Sequence, residues 1–311
     1  MHKNQAEVNI KYRKVIMSDI TLVNKSNFAA MAQAMGMGAD IAVPKKQNTL
    51  ARLKLDHKGI MGESTVNGKK KKVEVVAAGS YVLDRPNLDP VYASDVSIRL
   101  FNQRFMYKRY IQGSGDSKGK YVKTIMAKDL KEDLRDNVGG FNCGKPSGWI
   151  EDYQALPAET KTLLKSIKRV RVLFGQVTMK GAVNAKGEEL GDVESVPFIW
   201  EVDNKDAFKT MGAPIAQMAK QNRILPQHNI SLGSDEQSLP TGASYYLPTA
   251  TLELGNTIDL TDNDQVLFAD FNAWIDNYND YIVKEFNDNA KAQPDAELAE
   301  IVEEFVDVEV E

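Results

Sequence analysis

Sixteen consecutive residues, Val96 to Ile111 (VSIRLFNQRFMYKRYI), show a strand period and no helical one, and so long a strand narrows the choice of fold more than any other part of the chain. Arg99, Phe101, Gln103, Phe105, Tyr107 and Arg109 fall on one face, while Ile98, Leu100, Asn102, Arg104, Met106 and Lys108 fall on the other. A loop of Gly, Ser, Asp and Lys from Gln112 to Gly119 leads into Tyr121 to Met126, which predicts a hairpin. Arg169 to Lys180 is a further strand. Val170, Val172 and Phe174 share a face there, and after Gly175 the apolar parity passes to Val177 and Met179. A glycine at such a switch predicts a β-bulge in a bent strand, a device of small closed barrels.

Around these strands the sequence predicts several helices. They are a short one over Ser26 to Met37, a charged one over Lys128 to Val138, and one over Pro157 to Lys168 with proline in its first turn. Lys205 to Gln221 should be broken or kinked at Pro214. The long helix Asp262 to Asn289 has Thr261 as cap and Leu267, Phe271, Trp274 and Tyr278 on one stripe. Asn67-Gly68 marks a tight turn before the run Lys69 to Lys72, Gly181 to Ser195 reads as a polar loop, and Asn229 to Leu232 with Tyr245 to Leu254 reads as a closing hairpin.

Composition excludes several classes. The 311 residues are 42% hydrophobic and 26% charged, which rules out wholesale disorder, collagen and disulfide scaffolds. Cys143 is the single cysteine, so no internal disulfide or zinc spacing exists, and no window approaches a membrane span. A soluble protein of a reducing cytoplasm is expected, with no metal or other cofactor. Charge is unevenly spread. Residues 295–311 hold eight acids and no base, leaving residues 1–294 with 39 Lys and Arg against 35 Asp and Glu. From Arg99 to Lys180 there are 17 basic and 8 acidic residues, which points to a polyanion partner and an acidic interaction tail.

Gly139 to Lys145 matches half of a phosphate-binding loop, but no apolar strand precedes it and Pro146 follows, so an ordered glycine-rich loop is the better reading. Asp129, Glu132, Asp133 and Asp136 interleave with lysines as a solvated face would, and no catalytic residue is assigned. The strongest signal is aromatic and basic interleaving, the pattern on which unpaired bases stack while cations neutralise phosphates. The candidate nucleic-acid-binding residues are Arg99, Phe101, Arg104, Phe105, Tyr107, Lys108, Arg109, Lys120, Tyr121, Lys123, Lys145, Trp149, Arg169 and Arg171. The competing reading makes Phe101 and Phe105 core and leaves only the charges outside.

A basic, aromatic-bearing β-domain with an acidic C-terminal tail resembles the single-stranded DNA-binding proteins of tailed bacteriophages. The segments RVRVLFGQVTM from Arg169, VPFIWEV, AFKTMGAPIAQMAKQNRILPQHNISL and SYYLPTATLEL carry the likeness. The resemblance implies an α+β fold: an OB-like antiparallel β-barrel elaborated with helices. Its segments would be 1–95 (N-terminal segment), 96–260 (barrel), 261–293 (C-terminal helix) and 294–311 (acidic tail). It also implies non-catalytic single-stranded DNA binding in replication or recombination, in the host cytoplasm, with the tail recruiting partner enzymes. Homo-oligomerisation is left open by the sequence. The rivals are a virion or scaffold-type structural β-protein and a nucleic-acid-processing enzyme.

Overall fold

A computed structural model of the chain describes residues 50–66, 69–113 and 118–292. The strands are β1 (Ala51–Leu55), β2 (Ile60–Val66), β3 (Lys69–Val76), β4 (Tyr81–Asp84), β5 (Val91–Ala93), β6 (Asp95–Ile111), β7 (Lys120–Lys123), β8 (Ile167–Val183), β9 (Glu189–Val202), β10 (Asn229–Ser238) and β11 (Ser244–Leu252). The helices are α1 (Ala158–Ser166), α2 (Lys205–Lys220) and α3 (Asp262–Ala292). The expected helix at 26–37 and the tail 295–311 lie outside the described residues.

Five strands, β1, β4, β5, β8 and β9, close into a barrel within a mixed α+β architecture. They follow one another around the ring in chain order, each antiparallel to the last. An odd number of strands then forces the closing pair to be parallel, and β1 meets β9 at Ala51↔Phe198 and Arg52↔Ile199. Strands of this ring begin at Ala51, upstream of the barrel start at residue 96 expected from sequence. The early strands are only three to five residues long, too short to display a period.

β6 continues the path of β5 along β8 and carries β10 and then β11 as a sheet extension, with β7 paired at its far end. β2 and β3 form a separate two-stranded ribbon. The barrel encloses Leu53, Tyr81, Leu83, Ile98, Leu100, Leu173 and Phe198, with Met211 of α2 packed among them. A second core lies beneath α3, where Phe101, Met106, Val172 and Phe174 meet Phe271 and Ile275. Each such buried side chain contributes about 1.5–3 kcal/mol of transfer free energy.

Those two cores explain the apolar parity of β8. Val170, Val172 and Phe174 face the α3 core, whereas Leu173, Val177 and Met179 face the barrel. Pairing of β8 with β9 passes through Gly175 without a shift, so the bulge expected at that glycine is absent from β8. The irregularity opposite it falls on β6, between Leu100 and Asn102, and the β8–β9 register shifts only later, between Val177 and Val183. Gly175 is needed for a different reason. A Cβ there would sit 2.3 Å from the Arg99 carbonyl oxygen.

Three other expectations change. Lys128 to Val138 forms turns and bridges instead of a helix, because Asp136 accepts from the Val138 and Gly140 N–H groups (3.1 and 2.8 Å) and Asn142 from Leu134 N–H (2.9 Å). Such side-chain acceptors compete with the helical ladder. α2 runs through the buried Pro214 unbroken, capped by the Asn204 side chain. Most of Gly181 to Ser195 is paired strand, with Asn184 organising a short turn by accepting from Lys186 and Glu188 N–H. α1, α3 and the β10–β11 hairpin occupy the segments expected for them. Thr261 and Asp264 exchange hydrogen bonds at the start of α3, each side chain accepting from the other's backbone N–H.

Candidate nucleic-acid interface

The irregularity at Phe101 divides the strand that carries most of the candidate residues. Arg99 and Phe101, then Asn102, Arg104 and Met106, turn toward α3, where they meet Asp264, Phe271, Asn272, Asp276 and Tyr278. Gln103 and Phe105 turn the other way, toward Arg171 and Phe208. The single face of Arg99, Phe101, Gln103, Phe105, Tyr107 and Arg109 drawn from alternation is therefore corrected: one extra residue exchanges the faces of a strand.

Several candidates are held inside the protein. Phe101 and Tyr107 are buried, at 4% and 5% exposure. Arg99 donates to both carboxylate oxygens of Asp264 (2.7 and 3.0 Å) and to the Pro226 carbonyl (2.6 Å). Arg104 donates to the side chain of Asn102 and to the Gln103 carbonyl, and its burial lowers its pKa. Arg109 buries a guanidinium Nε that lacks a hydrogen-bond partner among the described residues. Arg171 is clamped between the rings of Phe105 and Phe208 (5.0 and 4.5 Å to the centroids) and donates to Gln103 and the Phe208 carbonyl. These residues serve the fold. Arg169 is exposed, at the edge of that clamp, 5.8 Å from the Phe208 ring.

The exposed remainder gathers on the β6–β7 hairpin. Tyr110 and Tyr121 lie opposite each other in register, each 52% exposed, with ring centroids 4.9 Å apart. Lys120 is exposed beside them, and Lys108 Nζ lies 5.1 Å from the Tyr121 ring. Below the pair is a groove of about 670 Å³ lined by Arg52, Lys54, Lys108, Lys123, Glu201 and the rings of Trp274 and Tyr278, among others. Trp274 and Tyr278 are nearly parallel, 7° apart at 5.8 Å. Arg52 and Lys54 were missed from sequence. β1 is too short for its alternation to mark them, and their exposure follows only from the burial of Ala51 and Leu53 on the other face.

Charge in the groove is organised by Glu201. Lys108 and Lys123 each reach it at 3.0 Å, and Lys108 also lies 3.7 Å from Asp203. Burial alone would raise the Glu201 pKa, but the two ammonium groups outweigh it and hold the carboxyl below its usual range. Burial likewise opposes the charge on Lys108, and Glu201 more than restores it, raising its pKa. Lys54 pairs with Asp84 at 3.3 Å. Arg52 and Lys120 have no ion pair among the described residues.

The glycine-rich loop packs against the same hairpin through Cys143, which donates to the Val122 carbonyl at 3.5 Å and shares a core with Tyr107. Trp149 is 89% exposed and makes no ring contact with Tyr110 or Tyr121 among the described residues, while Lys145 folds back on the carbonyls of Pro146 and Gly148 (2.9 and 3.1 Å). Burial of the Cys143 thiol inside this loop pushes its pKa up to about 12. Among the described residues no group of three or more His, Cys, Asp or Glu could hold a metal ion, and no helix is long and apolar enough to cross a membrane. No protein-family profile, curated protein or solved structure matches this chain.

Proposed function

We propose that the chain binds single-stranded DNA without catalysing a reaction, through the β6–β7 hairpin and the groove beneath it. The observation that carries this reading is the Tyr110–Tyr121 pair: two half-exposed rings on adjacent strands, flanked by Lys120 and set above Arg52, neither cation ion-paired among the described residues, and above Lys54, Lys108 and Lys123, whose charges are shared with Asp84 and Glu201. Exposed flat rings stack on unpaired bases of any sequence, and the cations beside them neutralise phosphates. The barrel is read as OB-like on its five strands, its closure and its long β8; its strands run as a meander, whereas the OB-fold follows a Greek-key path. In this reading the protein serves replication or recombination of a phage-type genome in the host cytoplasm, and the acidic tail 295–311 recruits partner enzymes.

The test is fluorescence anisotropy with oligo(dT) and with duplex of equal length, with and without divalent metal. Tighter binding of oligo(dT), an affinity that falls steeply with salt, and intact DNA after incubation are the expected results. Equal affinity for both forms, or cleavage, defeats the proposal. One observation favours the structural-protein reading instead. Ile224, Leu260 and Phe268 expose apolar surface around a groove of about 740 Å³ between α2 and α3, as a subunit contact would. Concentration-dependent assembly without DNA binding would select that reading.

A further inference from the structure

The β2–β3 ribbon shares no strand pairing with the nine-stranded sheet. Between Glu63 and Lys72 it carries four lysines against one carboxylate. Lys70, Lys71 and Lys72 are exposed, and strand alternation sends Lys70 and Lys72 to one face of the ribbon and Lys71 to the other. Lys70 reaches Glu63 at 3.0 Å, but with the two side chains 79% and 64% exposed that pair adds little. Lys71 and Lys72 have no ion pair among the described residues.

The root of the ribbon is firmly seated. Val76 is 3% exposed, the Glu74 carboxylate accepts from Ala78 N–H at 3.0 Å, and Val75 packs so closely on Gly187 that a Cβ there would lie 2.8 Å from the valine Cβ. A fixed root thus presents a lysine-rich free half.

Neighbouring like charges weaken a two-stranded ribbon, and such a ribbon is marginal by itself. An anion lying along one side would relieve one face only. Charge on both faces suits a ligand that offers anions on both sides, as the two phosphate backbones of a duplex groove do. Entering edge-on, with one face toward each backbone, the free half of the ribbon, two strands about 4.8 Å apart and about 13 Å long, fits a major groove about 12 Å wide. We propose that the β2–β3 ribbon inserts into the groove of duplex DNA, so that the preferred ligand is a junction of duplex and single strand. The single-stranded half of this inference rests on the function proposed above; the duplex half stands on the ribbon alone.

The experiment compares oligo(dT), blunt duplex and duplex with a dT tail of about 20 nucleotides, long enough for a single-strand site. Each is titrated against the full chain and against its Lys70→Ala/Lys71→Ala/Lys72→Ala variant. The wild type is expected to bind the tailed duplex at least about ten-fold tighter than oligo(dT), and the variant to lose that advantage while holding oligo(dT) within about two-fold. Its salt slope on the tailed duplex should fall by roughly 2–3, at about 0.9 per phosphate contact. A second variant, Lys71→Gln/Lys72→Gln, checks the same point with a smaller change to the ribbon, and melting temperatures verify folding. A folded variant that keeps the junction preference overturns the inference, as does one that loses oligo(dT) and junction equally. Lysine-dependent duplex binding without oligo(dT) binding would refute the single-strand reading and retain the ribbon's role. Absence of any lysine-dependent duplex contact removes it.

Discussion

Arg99 on β6 and Asp264 in the first turn of α3 form a two-pronged ion pair, 2.7 and 3.0 Å long, that fastens the long helix to the sheet. Their side chains are only 15% and 9% exposed. Arg99→Ala strands a buried carboxylate, and a loss of about 3 kcal/mol is expected in urea unfolding. Single-stranded DNA affinity of the folded variant should be unchanged, which would remove Arg99 from the interface.

The opposite pattern is expected of Tyr110→Ala and Tyr121→Ala. Each ring is half exposed, so the melting temperature should hardly move, whereas oligo(dT) affinity should fall by about 1–3 kcal/mol per ring if bases stack there. Anisotropy titrations beside thermal melts separate the two effects. Unchanged affinity in both variants moves the site away from this hairpin.

Gly175→Ala should be among the most damaging small substitutions. The added methyl meets the Arg99 carbonyl at 2.3 Å, a backbone atom in the middle of the β6–β8 pairing. A cost of about 3 kcal/mol is expected from overpacking. A denaturation midpoint equal to wild type would show that β6 yields there.

Acid should weaken the fold through Glu201 and Asp264, whose carboxyls are both held below their ordinary values, against burial, by Lys108 and Lys123 and by Arg99 and Thr261 respectively. A depressed folded pKa stabilises the native state fully above the unfolded value, near 4.5 for Glu201, and that contribution is lost as pH falls toward the folded pKa. Melting temperature followed from pH 7 down through the carboxylate range should therefore drop. Glu201→Gln should start lower and lose less, and a parallel pH profile would exclude this carboxylate.

Removing residues 295–311 takes away eight acids and no base. If that segment competes with DNA for the basic body, truncation raises oligo(dT) affinity, most clearly at low salt where charges are least screened. Equal affinities at low salt, with equal melting temperatures, leave the tail as a recruiting element only.

Much of the secondary structure was legible in sequence because it follows local rules. Proline before α1, Thr261 before α3 and the long strand period of β6 act over a few residues, and the segments they mark form as expected. Failures arose where side chains, some only a few residues away, took up the backbone donors. Lys128 to Val138 has a helix-compatible composition, yet Asn142 and Asp136 take up its backbone donors.

The candidate site divides the same way. Alternation on β6 names two faces but not which is covered, and that choice belongs to α3 and α2, which arrive from more than a hundred residues downstream. A single extra residue at Phe101 then exchanges the faces, burying Phe101 while Tyr110 stays in solvent. The excess of basic residues was visible from composition. Which cations remain free for a ligand was decided by Glu201 and Asp264, carboxylates on other elements whose approach depends on closure of the barrel and docking of the helix. Charge count and strand period are local properties of the chain, whereas ion pairing and burial are set by residues that only the tertiary structure makes neighbours.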